Sequence, residues 1–145
     1  MKYFDCHADT LTQVIKEGES LEKNTCDIDL QRIEKFADTY TQIFAIWKNR
    51  KEILPGTESS VFRKSYEKAI ELLQKAENKI RLCTSAKEME DAHQNGKAAA
   101  FLSVEDVSIM GKDIGRIREL GFLFVLLSYW QKVSVHSVLL SQYYR

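Results

Sequence analysis

Three metal-competent side chains stand near the start of the sequence. Asp5, His7 and Asp9 recur at strict two-residue spacing within Tyr3-Phe4-Asp5-Cys6-His7-Ala8-Asp9-Thr10-Leu11. In an extended strand, residues at i, i+2 and i+4 point to one face, so the spacing predicts that all three project together. The Cα atoms of His7 and Asp9 would then stand about 7 Å apart, near enough for both heads to reach one cation. A neutral imidazole beside a hard carboxylate is a mixed nitrogen and oxygen donor set that suits Zn2+ and similar divalent ions. The pattern also has plainer explanations. An aspartate at a strand end often caps the helix that follows, and a single histidine is often a buried, hydrogen-bonded residue. A fourth candidate, Glu105, closes the apolar run Ala98-Ala99-Ala100-Phe101-Leu102-Ser103-Val104. Its alternatives are a helix cap or a salt-bridged acid.

The elements that must position these groups follow from the hydrophobic pattern. Apolar, β-branched and aromatic runs predict strands at the very start and over Thr39–Trp47, Ile80–Cys83, Lys97–Glu105 and Phe122–Leu127. Helical spacing predicts helices over Thr10–Lys16 and Leu30–Phe36, the second capped by Asp27 or Asp29. A long helix from Ser59 or Ser60 to Asn78 carries Phe62, Tyr66, Ala69, Ile70, Leu73 and Ala76 along one stripe. Another opens on a capping-box-like Ser85…Glu88 and ends near Asn95-Gly96, and a last one covers Lys112–Leu120. Sustained alternation with near-continuously apolar strands predicts an α/β domain, a parallel sheet covered by helices. In such architectures chemistry gathers at the C-terminal ends of the strands. His7 and Asp9 end the first strand and Glu105 ends the fourth. In a barrel these ends share a rim, and a carboxylate there can bridge two cations about 3.5–4 Å apart.

Composition narrows the classes further. With 145 residues, 44% of them hydrophobic and 29% charged, the chain can form one soluble domain with a real core. Equal numbers of basic and acidic residues, 21 each, give no basic surface for nucleic acid or an acidic membrane. Charged and polar residues interrupt the opening segment before a signal-peptide core forms, and the longest apolar run, Gly121–Leu127, is too short to span a bilayer. Three widely spaced cysteines, Cys6, Cys26 and Cys83, fit reduced thiols, so a cytoplasmic location is expected.

Four segments in order carry a family likeness: Asp5-x-His7-x-Asp9, Asp29-Leu30-x-Arg32, Gln42-x-Phe44-Ala45, and Phe101-Leu102-Ser103-Val104-Glu105. Together they resemble the membrane (renal) dipeptidase family, zinc peptidases among the amidohydrolase-type (β/α)8 barrels. The likeness runs from residue 3 to residue 121 and fades within the fifth strand. It implies a two-zinc site that hydrolyses dipeptides and tolerates a D-residue on the C-terminal side. It implies His7 and Asp9 as ligands of one metal, Glu105 as the carboxylate bridging both, and Asp5 behind them, orienting a ligand. No catalytic acid or base is identified in this chain; in the family these, and the histidines of the second metal, are expected further downstream. The family has glycine after the bridging glutamate where this chain has Asp106, a departure that bears on the shape of that loop.

A complete (β/α)8 barrel takes about 250 residues. Five predicted strands in 145 residues therefore suggest a partial TIM-type barrel, with 1–130 as its N-terminal part and 131–145 as an unmatched tail. The expectation is a truncated chain with little or no peptidase activity, whose open sheet edges favour self-association. Two other functions compete. One is a different amidohydrolase-like metal hydrolase, a group that more often opens with His-x-His. The other is a non-catalytic βα module whose acids cap helices and whose surface binds a partner chain. A smaller complete fold, such as a flavodoxin-like sheet, would show itself as a sharply melting monomer. Among the remaining residues, Cys6 is expected to be a packed core thiol, since strand neighbours face opposite ways and it cannot pair with His7. His93 is expected to be solvent-exposed on a polar helix face, Trp47 and Trp130 to pack in the core, and His136 to have no assigned role.

Overall fold

The structure, a computed structural model, describes residues 1–116 and 122–126, with side chains as far as residue 111. Strands and helices alternate as the pattern predicts: β1 (Lys2–Ala8), α1 (Thr10–Glu17), α2 (Leu30–Ile33), β2 (Thr39–Ile46), α3 (Glu58–Lys75), β3 (Ile80–Leu82), α4 (Ala86–Gln94), β4 (Ala98–Glu105) and β5 (Phe122–Leu126). A short 3-10 turn, Arg50–Glu52, follows β2, and 3-10 turns over Val107–Arg116 follow β4. The helix expected over Lys112–Leu120 is replaced, as far as it is described, by these tighter turns, which start earlier and break at Gly111. There φ is 52°, and an added Cβ would come within 2.7 Å of Ser59 Oγ, so glycine lets the segment close onto the start of α3. Trp130, His136 and the 131–145 tail lie outside the described residues.

All strand pairs are parallel. β2 lies between β1 and β4, and the other edge of β4 is shared. β3 pairs with Ala98–Ala100 and β5 with Leu102–Glu105. Neighbours therefore skip from β2 to β4, and β3, with three residues, lies on the far edge of β4.

Helices cover both faces of the sheet. Phe44, Ile46, Leu102 and Val104 share one face by register, and they pack in the larger core with Leu11 and Val14 of α1 and Phe62, Ala69 and Leu73 of α3. Burial of each large side chain in this layer contributes about 1.5–3 kcal/mol. On the opposite face Ile43, Ala99 and Phe101 form a smaller cluster with Cys83 and with Ala92 and Met89 of α4. Burial pushes the Cys83 thiol up to about 11, which keeps it protonated and unreactive. Among the described residues no helix is long and apolar enough to cross a membrane.

Three expectations are corrected. Cys6 is exposed, because β1 pairs only with β2 among the described residues and nearly all of its side chains face solvent. His93 is half-buried: its Nε2 lies 3.0 Å from Thr41 Oγ1 and 3.1 Å from the Tyr40 carbonyl, so it ties α4 to β2. Trp47 is exposed, since it stands one residue past the end of β2, where the core layer stops.

Local capping explains where helices begin. Of the two candidates, Asp29 caps α2, accepting from the Arg32 amide at 2.7 Å and from Arg32 Nε at 2.8 Å. Arg32 in turn reaches the Cys26 carbonyl, which fastens the preceding loop. Ser85 caps α4 by accepting from the Glu88 amide at 3.3 Å, while the Glu88 carboxylate turns to the Thr84 amide at 2.6 Å.

Asp29 is nearly fully buried. Burial raises its pKa, but hydrogen bonds from the Arg32 and Asn24 amides and from the Arg32 guanidinium more than reverse that, leaving the carboxyl below its ordinary value. Its stabilising contribution is therefore complete above about pH 4 and is lost as pH falls through the folded-state value. Asp29→Ala is expected to cost about 1–2 kcal/mol at pH 7 in urea or thermal unfolding. The gap from wild type should close in acid; a gap of constant size from neutral pH to pH 3 would contradict this.

Candidate metal centre

β1 departs from regular pairing just before its end. Asp5 lies opposite Gln42 and Ala8 opposite Phe44, so β1 takes three steps where β2 takes two. This bulge changes which side chains share a face. Ala8 returns to the face of Phe44 and the larger core, and His7 takes the opposite parity from Asp5. The expectation that Asp5, His7 and Asp9 project together holds only in part: all three line one groove, but His7 and Asp9 group with Glu105 and Asp5 does not. By the β2–β4 register Glu105 also lies opposite to the Phe44 face, and His7 meets it there.

His7 Nε2 lies 3.5 Å from Glu105 Oε2 and 3.7 Å from Asp9 Oδ1. The three residues offer one ligand atom each within 4.8 Å of one another. These separations exceed hydrogen-bond length. They suit a shared cation better: two donors each about 2.1 Å from a tetrahedral ion stand roughly 3.4 Å apart. One imidazole nitrogen with two carboxylates is also the ligand chemistry of hydrolytic divalent-metal sites. Side-chain exposures of 40% for His7, 52% for Asp9 and 29% for Glu105 leave room for an ion to enter.

Asp9 occupies the position that precedes α1, and its carbonyl accepts from the Gln13 amide at 3.1 Å. Its carboxylate makes no capping hydrogen bond among the described residues, so the capping explanation for this residue does not hold. The helix start nevertheless favours a negative charge beside it. Asp5 stands outside the group of three. Its Oδ1 accepts from the backbone amide of His7 at 3.0 Å, so it touches the candidate ligand through the main chain, not through the imidazole. Asp5, His7, Asp9, Gln13, Arg32 and Tyr40 all line a groove of about 850 Å3 beside β1.

The residue after Glu105 explains the departure at that position. Asp106 has φ 61°, the left-handed region that favours glycine. Aspartate tolerates it through local hydrogen bonds, and here Oδ1 accepts from the Ser108 amide at 3.1 Å and its hydroxyl at 2.5 Å. Arg50 Nη1 donates to Ser108 as well, which ties the turn to the segment after β2. The sharp turn that releases the chain after Glu105 is thus made without glycine.

The sequence pattern does not distinguish as functional a buried polar pair beside the bulge. Gln42 is fully buried, and its Oε1 accepts from the Tyr40 hydroxyl, whose pKa burial raises, so it remains a donor. The available signal was a glutamine inside an otherwise apolar strand, a residue that must find partners if buried.

Comparisons with known proteins identify the family and the fold. Residues 1–132 match a family model described as membrane dipeptidase (peptidase family M19). No curated protein matches the sequence. Among solved structures, the chain is similar to a dipeptidase AC, a metallo peptidase of family M19, at 18% identity and TM-score 0.73, covering 89% of this chain and 43% of that one. It is similar to the probable dipeptidase PvdM from Pseudomonas aeruginosa at 17% identity and TM-score 0.69, covering 89% and 35%. A metallo peptidase from Rhodobacter sphaeroides, liganded with a phosphinate mimic of the dipeptide L-Ala-D-Ala, aligns at 16% identity and TM-score 0.63, covering 86% and 44%. At these identities the structural likeness establishes the fold, a TIM-barrel-like dipeptidase fold of which this chain forms part. The chain spans less than half the length of these structures.

Asp106→Gly is expected to fold with stability within about 1 kcal/mol of wild type, because relief of the left-handed backbone offsets the lost Ser108 contacts. Asp106→Val should cost about 1–3 kcal/mol in chemical denaturation. Equal stability of the valine and glycine variants would refute the backbone assignment.

Proposed function

The chain belongs to the membrane dipeptidase family, a family of metallopeptidases, and we propose from that membership that it is part of a zinc-dependent dipeptidase. The observation that carries the reading is the convergence of His7, Asp9 and Glu105 from two strand ends on one point. His7 and Asp9 would hold one Zn2+, and the second oxygen of Glu105 leaves that carboxylate free to share a second ion. Bound zinc would supply a water activated near neutral pH and polarise the scissile carbonyl. The chain's own contribution is to fix the donors. The bulge aims His7, the start of α1 places Asp9, and the Asp106 turn ends β4 so that Glu105 stands at the rim.

The substrate class proposed is a dipeptide. The neighbour that carries an L-Ala-D-Ala mimic supports tolerance for a D-residue at the second position. With three donor side chains grouped among the described residues, the 145-residue chain is expected to bind metal yet to hydrolyse dipeptides weakly or not at all.

Metal content tests the reading directly. After dialysis against trace Zn2+, wild type should retain the ion, while His7→Ala and Glu105→Gln should weaken binding by at least about tenfold. Equal metal content in wild type and His7→Ala would favour the non-catalytic module. Vigorous, chelator-sensitive hydrolysis of L-Ala-D-Ala by the 145-residue chain would overturn the weak-activity expectation. Turnover of cyclic amides in preference to dipeptides would move the chain to another amidohydrolase activity.

A further inference from the structure

The bulge in β1 interrupts the ladder and leaves main-chain groups that need partners from elsewhere. Two side chains meet that need. Gln42 Nε2 donates to the Asp5 carbonyl at 3.4 Å and to the Ile43 carbonyl at 2.9 Å. Asp5 Oδ1 accepts from the His7 amide at 3.0 Å. Gln42 itself cannot rotate freely, because its Oε1 is held by the Tyr40 hydroxyl and the whole side chain is buried. Tyr40 is braced in turn by the ring of Tyr3, stacked at a centroid distance of 5.8 Å. A chain of hydrogen bonds therefore runs from the sheet interior to the main chain of His7: the Tyr40 hydroxyl donates to Gln42, Gln42 to the Asp5 carbonyl, and the His7 amide to the Asp5 carboxylate.

We propose that Gln42 is a positioning residue for the metal centre, holding the β1 bulge, and with it His7, through Asp5. The inference rests on His7 being a metal ligand. Gln42 touches neither a ligand side chain nor the ion's position. It sets where the backbone turns. An exposed edge-strand residue such as His7 has little packing of its own to fix its direction, so a buried amide two residues down the register is the available anchor. Asp5 serves as a hydrogen-bond acceptor in this relay; its charge is incidental.

Cobalt supplies the probe, because Co2+ occupies zinc-type donor sets and its visible absorption reports coordination geometry. The full 145-residue chain is titrated with Co2+ as wild type, His7→Ala, Gln42→Met, Tyr40→Phe, Asp5→Ala, Asp5→Asn, the double variant Gln42→Met/Asp5→Ala, and Leu73→Ala. Leu73→Ala removes a core side chain of α3 and serves as a stability control, because it makes none of the hydrogen bonds that hold the bulge. The expected result is a roughly ten- to hundredfold weaker Co2+ affinity and an altered spectrum in Gln42→Met. Leu73→Ala should bind like wild type despite an equal or larger loss of thermal stability. Asp5→Ala should weaken binding and Asp5→Asn, which keeps the acceptor, should restore it. The double variant should bind more weakly than either single variant, because Gln42 holds the Asp5 carbonyl and the Asp5 carboxylate holds the His7 amide, two separate bonds on one bulge. Wild-type affinity and spectrum in Gln42→Met, with binding lost in His7→Ala, would overturn the positioning role alone. Equal Co2+ binding by wild type and His7→Ala would remove the metal reading and the inference with it. Should Gln42→Met not fold, Tyr40→Phe decides: weakened binding supports the relay, and unchanged binding overturns it.

Discussion

Between Asp5 and Ala8 the first strand uses three residues where its partner uses two, and the candidate centre depends on that single insertion. A regular strand would keep His7 on the face of Asp5 and turn Ala8 away from the core. The bulge reverses both outcomes. Ala8 joins the larger core, and His7 comes within reach of Glu105, which arrives on β4 with β2 between them. Bulges are costly because they strand hydrogen-bonding groups, and this one is made tolerable by Gln42 and Asp5.

How much of this the sequence carried depended on the range of the signal. Periodicity is local, so the strands and helices that bear the site were legible to within a few residues, as were the caps at Asp29 and Ser85. The pairing of His7 and Asp9 with Glu105 was reachable because parallel strands bring their ends to one rim. The bulge was not. It breaks the two-residue period without any glycine or proline to mark it, so the period alone sets Asp5 beside His7 and Asp9, whereas only His7 and Asp9 group with Glu105. Cys6 and Trp47 depart from expectation for a related reason. Apolar character predicts burial only where a covering layer exists, and both lie at the margin of the one described here. His93 went the other way, since its partners, Thr41 Oγ1 and the Tyr40 carbonyl, come from a strand more than fifty residues earlier.

The centre divides labour between exposed and buried groups. The three candidate ligands remain open to solvent, while the residues that hold them in place, Gln42 and Tyr40, are almost fully inaccessible. Asp106 makes the same division at the other strand end. It accepts an unfavourable backbone angle so that Glu105 can stand at the rim, and its own carboxylate secures the turn through Ser108. Both strand ends thus solve a backbone problem with a nearby polar side chain.

The division of β4's outer edge has a consequence for assembly. β3 occupies Ala98–Ala100 and so acts as a mechanical stop: β5 cannot slide toward the start of β4 and must pair from Leu102 onward. The last step of that pairing sets Leu126 opposite Glu105. A strand of three residues thereby fixes how far along β4 the next strand pairs, toward the end that carries Glu105.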